Sequence, residues 1–118
     1  MYFTCVGGYT SRATADENQV RVAIVGDSTV ASYPDPPADR PDLTGWGQVI
    51  GEFFDDEIAV LNHAKSGRSS KSFIREGLWE KTLAERPHYI FIQFGHNDCP
   101  GKGDRETNPA TDFRDYIR

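Results

Sequence analysis

The sequence predicts a three-layer α/β sandwich around a parallel sheet, and three observations carry that expectation. Three short apolar runs, rich in β-branched and aromatic residues, are spread along the 118 residues, and each reads as a strand covered on both faces. Between them lie segments whose apolar residues recur at helical spacing, so strand and helix alternate, the order that yields parallel strands joined by right-handed crossovers. A cluster of small polar residues follows each run directly, which is where open α/β sheets place their ligands.

The first strand is Val20-Arg21-Val22-Ala23-Ile24-Val25, closed by Gly26. Trp46, Val49, Ile50, Phe53 and Phe54 then fall at i, i+3, i+4, i+7 and i+8, the stripe of an amphipathic helix, with Thr44 in position to cap it. The second strand, Ile58-Ala59-Val60-Leu61-Asn62, ends near His63-Ala64. From Ser70 to Glu85 the residues Phe73, Ile74, Leu78 and Leu83 predict a second helix, with Gly77 as its weak point and Pro87 just past its end. The third strand runs from Tyr89 through Phe94 and closes at Gly95. Beyond Gly101 the chain is polar and turn-rich through Pro109. Phe113, Tyr116 and Ile117 then begin what reads as another amphipathic helix, which stops at Arg118. A third strand with one bare edge, and a chain that stops inside an element, predict an incomplete flavodoxin-like sandwich containing its first three strands. Residues 20–118 are accordingly read as the N-terminal part of one domain, and 1–19 as a leader.

A net charge of -5 with 37% hydrophobic residues offers no basic face for nucleic acid or anionic lipid. No apolar run approaches the roughly 20 residues that cross a bilayer, so no integral membrane segment is expected. Cys5 and Cys99 lack metal-ligand spacing and read as ordinary thiols. Ala13-Thr14-Ala15 before Asp16-Glu17-Asn18-Gln19 has the small-x-small pattern of a signal-peptidase site. Met1 to Thr10, however, lacks a basic start and a continuous apolar stretch. A shortened export signal and a plain terminus both remain open, which sets secretion or a periplasmic location against the cytoplasm. No phosphate-binding glycine motif follows the first strand, and no cofactor or metal is implied.

Gly26-Asp27-Ser28-Thr29 follows the first strand, Ala64-Lys65-Ser66-Gly67-Arg68-Ser69-Ser70 the second, and Gly95-His96-Asn97-Asp98 the third. A serine on a tight strand-to-helix turn presents its hydroxyl at the rim of the sheet, with its N–H toward the positive end of the following helix. Ser28 is therefore the candidate nucleophile. Acyl transfer also needs donors aimed at the oxygen that becomes negative, and Ser28 N–H, Gly67 N–H and the Asn97 amide can supply an oxyanion hole. Gly67 lets a substrate approach the backbone, and Asn97 donates without a competing charge. Asp27 and Asp98 invite a metal or acid/base reading. Short carboxylates in turns more commonly accept backbone N–H groups and fix loop shape, so both are read as shaping the site. His96 either contacts substrate or braces its loop. His63 reads as a hydrogen-bonded core or rim residue rather than a base, and Trp46 as core, while Trp79 is left open as a sugar platform. Lys65, Arg68 and Lys71 form a small basic cluster that either attracts an acidic polysaccharide or is solvated surface.

Gly26-Asp27-Ser28, Gly67 in its serine-rich loop, and Gly95-His96-Asn97-Asp98 closely resemble the first three conserved blocks of SGNH (GDSL-like) hydrolases. The phrasing Gly67-Arg68-Ser69-Ser70-Lys71-Ser72-Phe73, Arg75-Glu76-Gly77 and Phe94-Gly95-His96-Asn97-Asp98 looks most like the rhamnogalacturonan acetylesterase branch, which deacetylates plant cell-wall polysaccharide. The resemblance runs from about Val20 to Asp98. It implies a serine esterase, here a carbohydrate O-acetylesterase, that works through an acyl-serine on an acetylated polysaccharide or oligosaccharide. Ser28 would be its nucleophile, and Gly67 and Asn97 its oxyanion donors. Members of the family carry a late Asp-x-x-His that supplies base and orienting acid. The histidines here are His63, His88 and His96, and none has that spacing. The expectation is a fragment, nearly inactive alone, since losing the base costs about a millionfold in a well-studied serine protease. The other readings are a non-catalytic carbohydrate-binding or degenerate relative, and a lipolytic or thioesterase activity on the same scaffold.

Overall fold

The computed structural model describes residues 19–108. Apart from Gln19, the expected leader lies outside the described residues, as do Cys5 and the helical segment expected around Phe113, Tyr116 and Ile117. The described chain forms β1 (Val20–Gly26), α1 (Trp46–Val49), β2 (Ile58–Asn62), α2 (Ser70–Arg75), α3 (Leu78–Ala84) and β3 (Tyr89–Gln93).

The strands make one parallel three-stranded sheet in the order β2-β1-β3. Val22 pairs with Val60 on one side and Tyr89 on the other, and Gly26 pairs with Gln93. The chain steps from β1 to β2 in one direction and from β2 to β3 in the other. Two right-handed crossovers running in opposite directions lie on opposite faces of the sheet, so the partial flavodoxin-like sandwich expected from the sequence is present. β1, flanked on both sides, holds most of the core: Val22, Ala23, Ile24 and Val25 are buried, joined by Val30, Ala31 and Phe73. Phe73 packs against Phe94 with ring centroids 5.3 Å apart in a tilted arrangement. Among the described residues β3 pairs on one side only, and with Tyr89, Phe91 and Ile92 exposed it departs from the strand covered on both faces that its apolar run predicts.

Both expected helices differ from their sequence readings. The first is four residues of α-helix followed by a 3-10 turn at Ile50–Phe53, and its N-cap is Gly45, without a side-chain cap, rather than Thr44. Gly47 and Gly51 weaken helical propensity here. The tighter turn changes the period from 3.6 to about 3.0 residues, so Phe53 leaves the buried stripe and stands 81% exposed. The second helix is broken in two at Gly77, whose φ of 71° is left-handed. Its first half is capped by Ser69, whose side chain accepts the Ser72 N–H at 3.1 Å. In its second half Thr82 is buried while Leu83 is exposed. Among the described residues no helix is long and apolar enough to cross a membrane.

Candidate active site

All three expected loops lie at the C-terminal edge of the sheet, and each is shaped by its own chemistry. After β1, the buried Asp27 carboxylate accepts both the N–H and the hydroxyl of Thr29 at 2.9 Å. The Asp27 carbonyl accepts the N–H groups of Val30 and Ala31 at 3.1 Å. The chain therefore turns sharply at Ser28 without entering a longer helix. The Ser28 carbonyl is fixed by the Tyr33 hydroxyl at 2.7 Å. Among the described residues, neither the N–H nor the hydroxyl of Ser28 has a hydrogen-bond partner, so both stand ready for a substrate.

This turn is seated against both neighbouring strands. Gln93, at the end of β3, donates to the Thr29 hydroxyl at 2.8 Å and accepts from the Trp46 indole at 2.9 Å. Asn62, at the end of β2, donates to the Val30 carbonyl and the Ser32 hydroxyl at 3.0 Å. Close backbone approach requires glycine at three places beneath it. A Cβ on Gly26 would lie 2.6 Å from the Gln93 carbonyl oxygen, one on Gly45 would run into the Ala31 carbonyl, and one on Gly47 would lie 2.5 Å from the Val30 carbonyl oxygen.

The loops after β2 and β3 are joined to each other. Gly67 turns with φ at 76°, a conformation that suits glycine, and only the end of Arg105 would come within 4 Å of a Cβ there. Its N–H has no hydrogen-bond partner among the described residues. Asn97 is 4% exposed, and its amide donates to the Arg68 carbonyl at 3.0 Å, leaving a second N–H for another acceptor. Asp98 accepts the Ser70 N–H at 3.0 Å and the Ser70 hydroxyl, so the residue after Asn97 is fastened to the first turn of α2. Arg105 donates through one guanidinium nitrogen to the Gly67 carbonyl at 3.4 Å and to Asn97 Oδ1 at 3.2 Å.

Asp27 and Asp98 thus behave as loop-shaping carboxylates. His96 is exposed. His63 is bonded through its backbone, whose N–H reaches the Ile24 carbonyl at 2.8 Å, whereas its buried side-chain Nε2, like Asp98 Oδ2, has no hydrogen-bond partner among the described residues. Trp46 is only partly buried and spends its indole N–H on Gln93. The expected basic cluster is divided, since Arg68 pairs with Glu76 at 2.9 Å. Cys99 is exposed and points its thiol at the Gly95 carbonyl. Sequence reasoning missed Asn62, Gln93 and Arg105. The first two carry a readable signal, a polar amide at the last position of a strand. Arg105 carries none, because its partners Gly67 and Asn97 lie 38 and 8 residues away along the chain.

A family model described as GDSL-like Lipase/Acylhydrolase matches residues 22–118. A rhamnogalacturonan acetylesterase of Bacillus subtilis is 41% identical over 101 residues, covering 83% of this chain and 40% of that protein. A probable rhamnogalacturonan acetylesterase of the same organism is 38% identical, covering 82% of this chain and 44% of its own length. A rhamnogalacturonan acetylesterase of Emericella nidulans is 34% identical, covering 70% of this chain and 35% of that protein. The chain therefore spans less than half the length of these relatives.

Proposed function

The chain belongs to the GDSL-like lipase/acylhydrolase family, and on that footing we propose that it carries the nucleophile and oxyanion hole of a serine carbohydrate O-acetylesterase. The observation that carries this reading is the fastening of Gly67 and Asn97 to one another at the same sheet edge as Ser28. The names of the relatives point to an acetylated rhamnogalacturonan as substrate.

In this reading Ser28 Oγ attacks the carbon of a sugar-bound acetyl group. The carbonyl oxygen takes up the electron pair and is received by Ser28 N–H, Gly67 N–H and the second N–H of Asn97. Collapse of the tetrahedral species expels the sugar oxygen, which leaves protonated, and water then releases acetate from the acetyl-serine. Asp27 and Asp98 hold the donors in place rather than exchange protons. The proton on Ser28 Oγ needs a base, and the sequence has no Asp-x-x-His to supply one. The reading therefore takes that base from residues outside this sequence, and the chain alone acylates slowly. Ala13-Thr14-Ala15 supports action outside the cytoplasm.

The alternative is a relative that keeps the pocket and binds carbohydrate without turnover. p-Nitrophenyl acetate hydrolysis separates the two when measured on this chain and on a fusion to the part of the Bacillus subtilis rhamnogalacturonan acetylesterase beyond the matched region. The esterase reading expects turnover in the fusion that disappears with Ser28→Ala. If chain and fusion are both folded and both inert, the binding reading replaces it.

A further inference from the structure

Asn97 donates at the oxyanion hole only if its carboxamide faces the right way. The terminal torsion of asparagine is broad and roughly two-fold, and its nitrogen and oxygen ends are nearly the same size. Turned over, the group would present an oxygen to the developing oxyanion, and a donor would become a repulsion. Something must therefore choose the orientation.

We propose that Arg105 is the positioning residue that makes this choice; the proposal rests on reading Asn97 as an oxyanion donor. One guanidinium nitrogen of Arg105 donates to Asn97 Oδ1 at 3.2 Å, so a cation sits at the oxygen end of the amide. The nitrogen end is thereby committed to the Arg68 carbonyl, 3.0 Å away, with one N–H left for the oxyanion. A charged donor on the oxygen also polarises the amide and strengthens its N–H groups. The same nitrogen reaches the Gly67 carbonyl at 3.4 Å, so one side chain sets the spacing between two of the three donors.

Arg105 is suited to this position. Among the described residues it forms no ion pair with a carboxylate. It closes a short 3-10 turn, Gly103–Arg105, that is tied back to its own loop: Thr107 N–H bonds the Asp98 carbonyl at 3.1 Å, and Glu106 accepts the Gly101 N–H at 3.0 Å. The turn is thus held independently of the guanidinium, and shortening the side chain leaves its anchors intact.

The test is stoichiometric phosphonylation of this chain by an alkyl fluorophosphonate at mildly alkaline pH, followed by intact mass. Hydroxide there takes the place of the missing base. Saturation kinetics separate reagent binding from the bond-forming step. Arg105→Ala is expected to slow the bond-forming step about tenfold with reagent binding unchanged, short of the hundred- to thousandfold loss typical of deleting an oxyanion donor outright. Arg105→Lys should restore most of the rate, and thermal unfolding midpoints confirm that the variants fold. In parallel, the Asn97 side-chain amide signals should exchange faster with water in Arg105→Ala than in the parent. An unchanged bond-forming rate together with unchanged amide exchange overturns the proposal. If Ser28→Ala labels as fast as the parent, the esterase reading fails instead, while the amide exchange still decides the role of Arg105.

Discussion

The loop after β1 and the pair of loops after β2 and β3 solve the same problem by different means. Asp27 closes its turn on Thr29, two residues away, whereas Asp98 reaches Ser70 across 28 residues of chain. Both are aspartates in short polar turns, and both accept a backbone N–H and a hydroxyl. One makes a local shape and the other makes a junction. The difference teaches that a nucleophile can be presented by a self-contained turn, while a shared oxyanion hole depends on long-range fastening.

Three substitutions bear on that contrast. The largest effect should come from Gly45→Ala, because the added carbon meets backbone at Val30 and Ala31 that cannot move aside. A loss of about 3 kcal/mol in urea unfolding is expected, in the range of severe overpacking. A loss under about 1 kcal/mol would mean that the β1 turn is not seated by that contact. Asp98→Ala comes next: Ser70 is buried, so its N–H and hydroxyl lose a charged acceptor that water does not replace. About 2 kcal/mol should disappear, and Ser28 phosphonylation should slow as Gly67 and Asn97 drift apart. Asp27→Ala removes the same kind of bonds, but Thr29 is exposed and its donors can hydrate. About 1 kcal/mol is expected. Equal losses in the two aspartate variants would erase the distinction between local turn and junction.

The same distinction explains what the sequence made legible. The three strands were readable as apolar, β-branched and aromatic runs, but burial on both faces holds for β1 alone, from Val22 to Gly26, while β2 is half-buried and β3 largely exposed. Ser28 and Asp27 were readable because a turn that bonds to itself is written in consecutive residues. The helices were less so. Periodicity alone does not register that Gly47 and Gly51 tighten the first helix, or that Gly77 adopts a left-handed turn and divides the second. Gly67 and Asn97 were visible as residue types after strands, and their junction was not, because it joins Arg68 and Ser70 to Asn97 and Asp98 across some 28 residues and then draws in Arg105. The resemblance to SGNH hydrolases supplied the link that local patterning lacks.

The central position of β1 has a kinetic consequence. It is the first strand among the described residues, yet each of its partners lies far downstream: Val20 waits for Ile58, and Val22 for Tyr89. Both pairings must close long loops before either is rewarded, which makes a parallel sheet slow to form. At a synthesis rate of about 5–20 residues per second, the run from Val22 to Val25 emerges seconds before anything can cover it. Such a run is the kind that associates with copies of itself when left exposed. Arg21 is the charge that immediately precedes this apolar run, and its guanidinium later bonds the Arg86 carbonyl at 3.0 and 3.1 Å. A residue that helps frame the native sheet can thus also keep nascent chains apart during that wait.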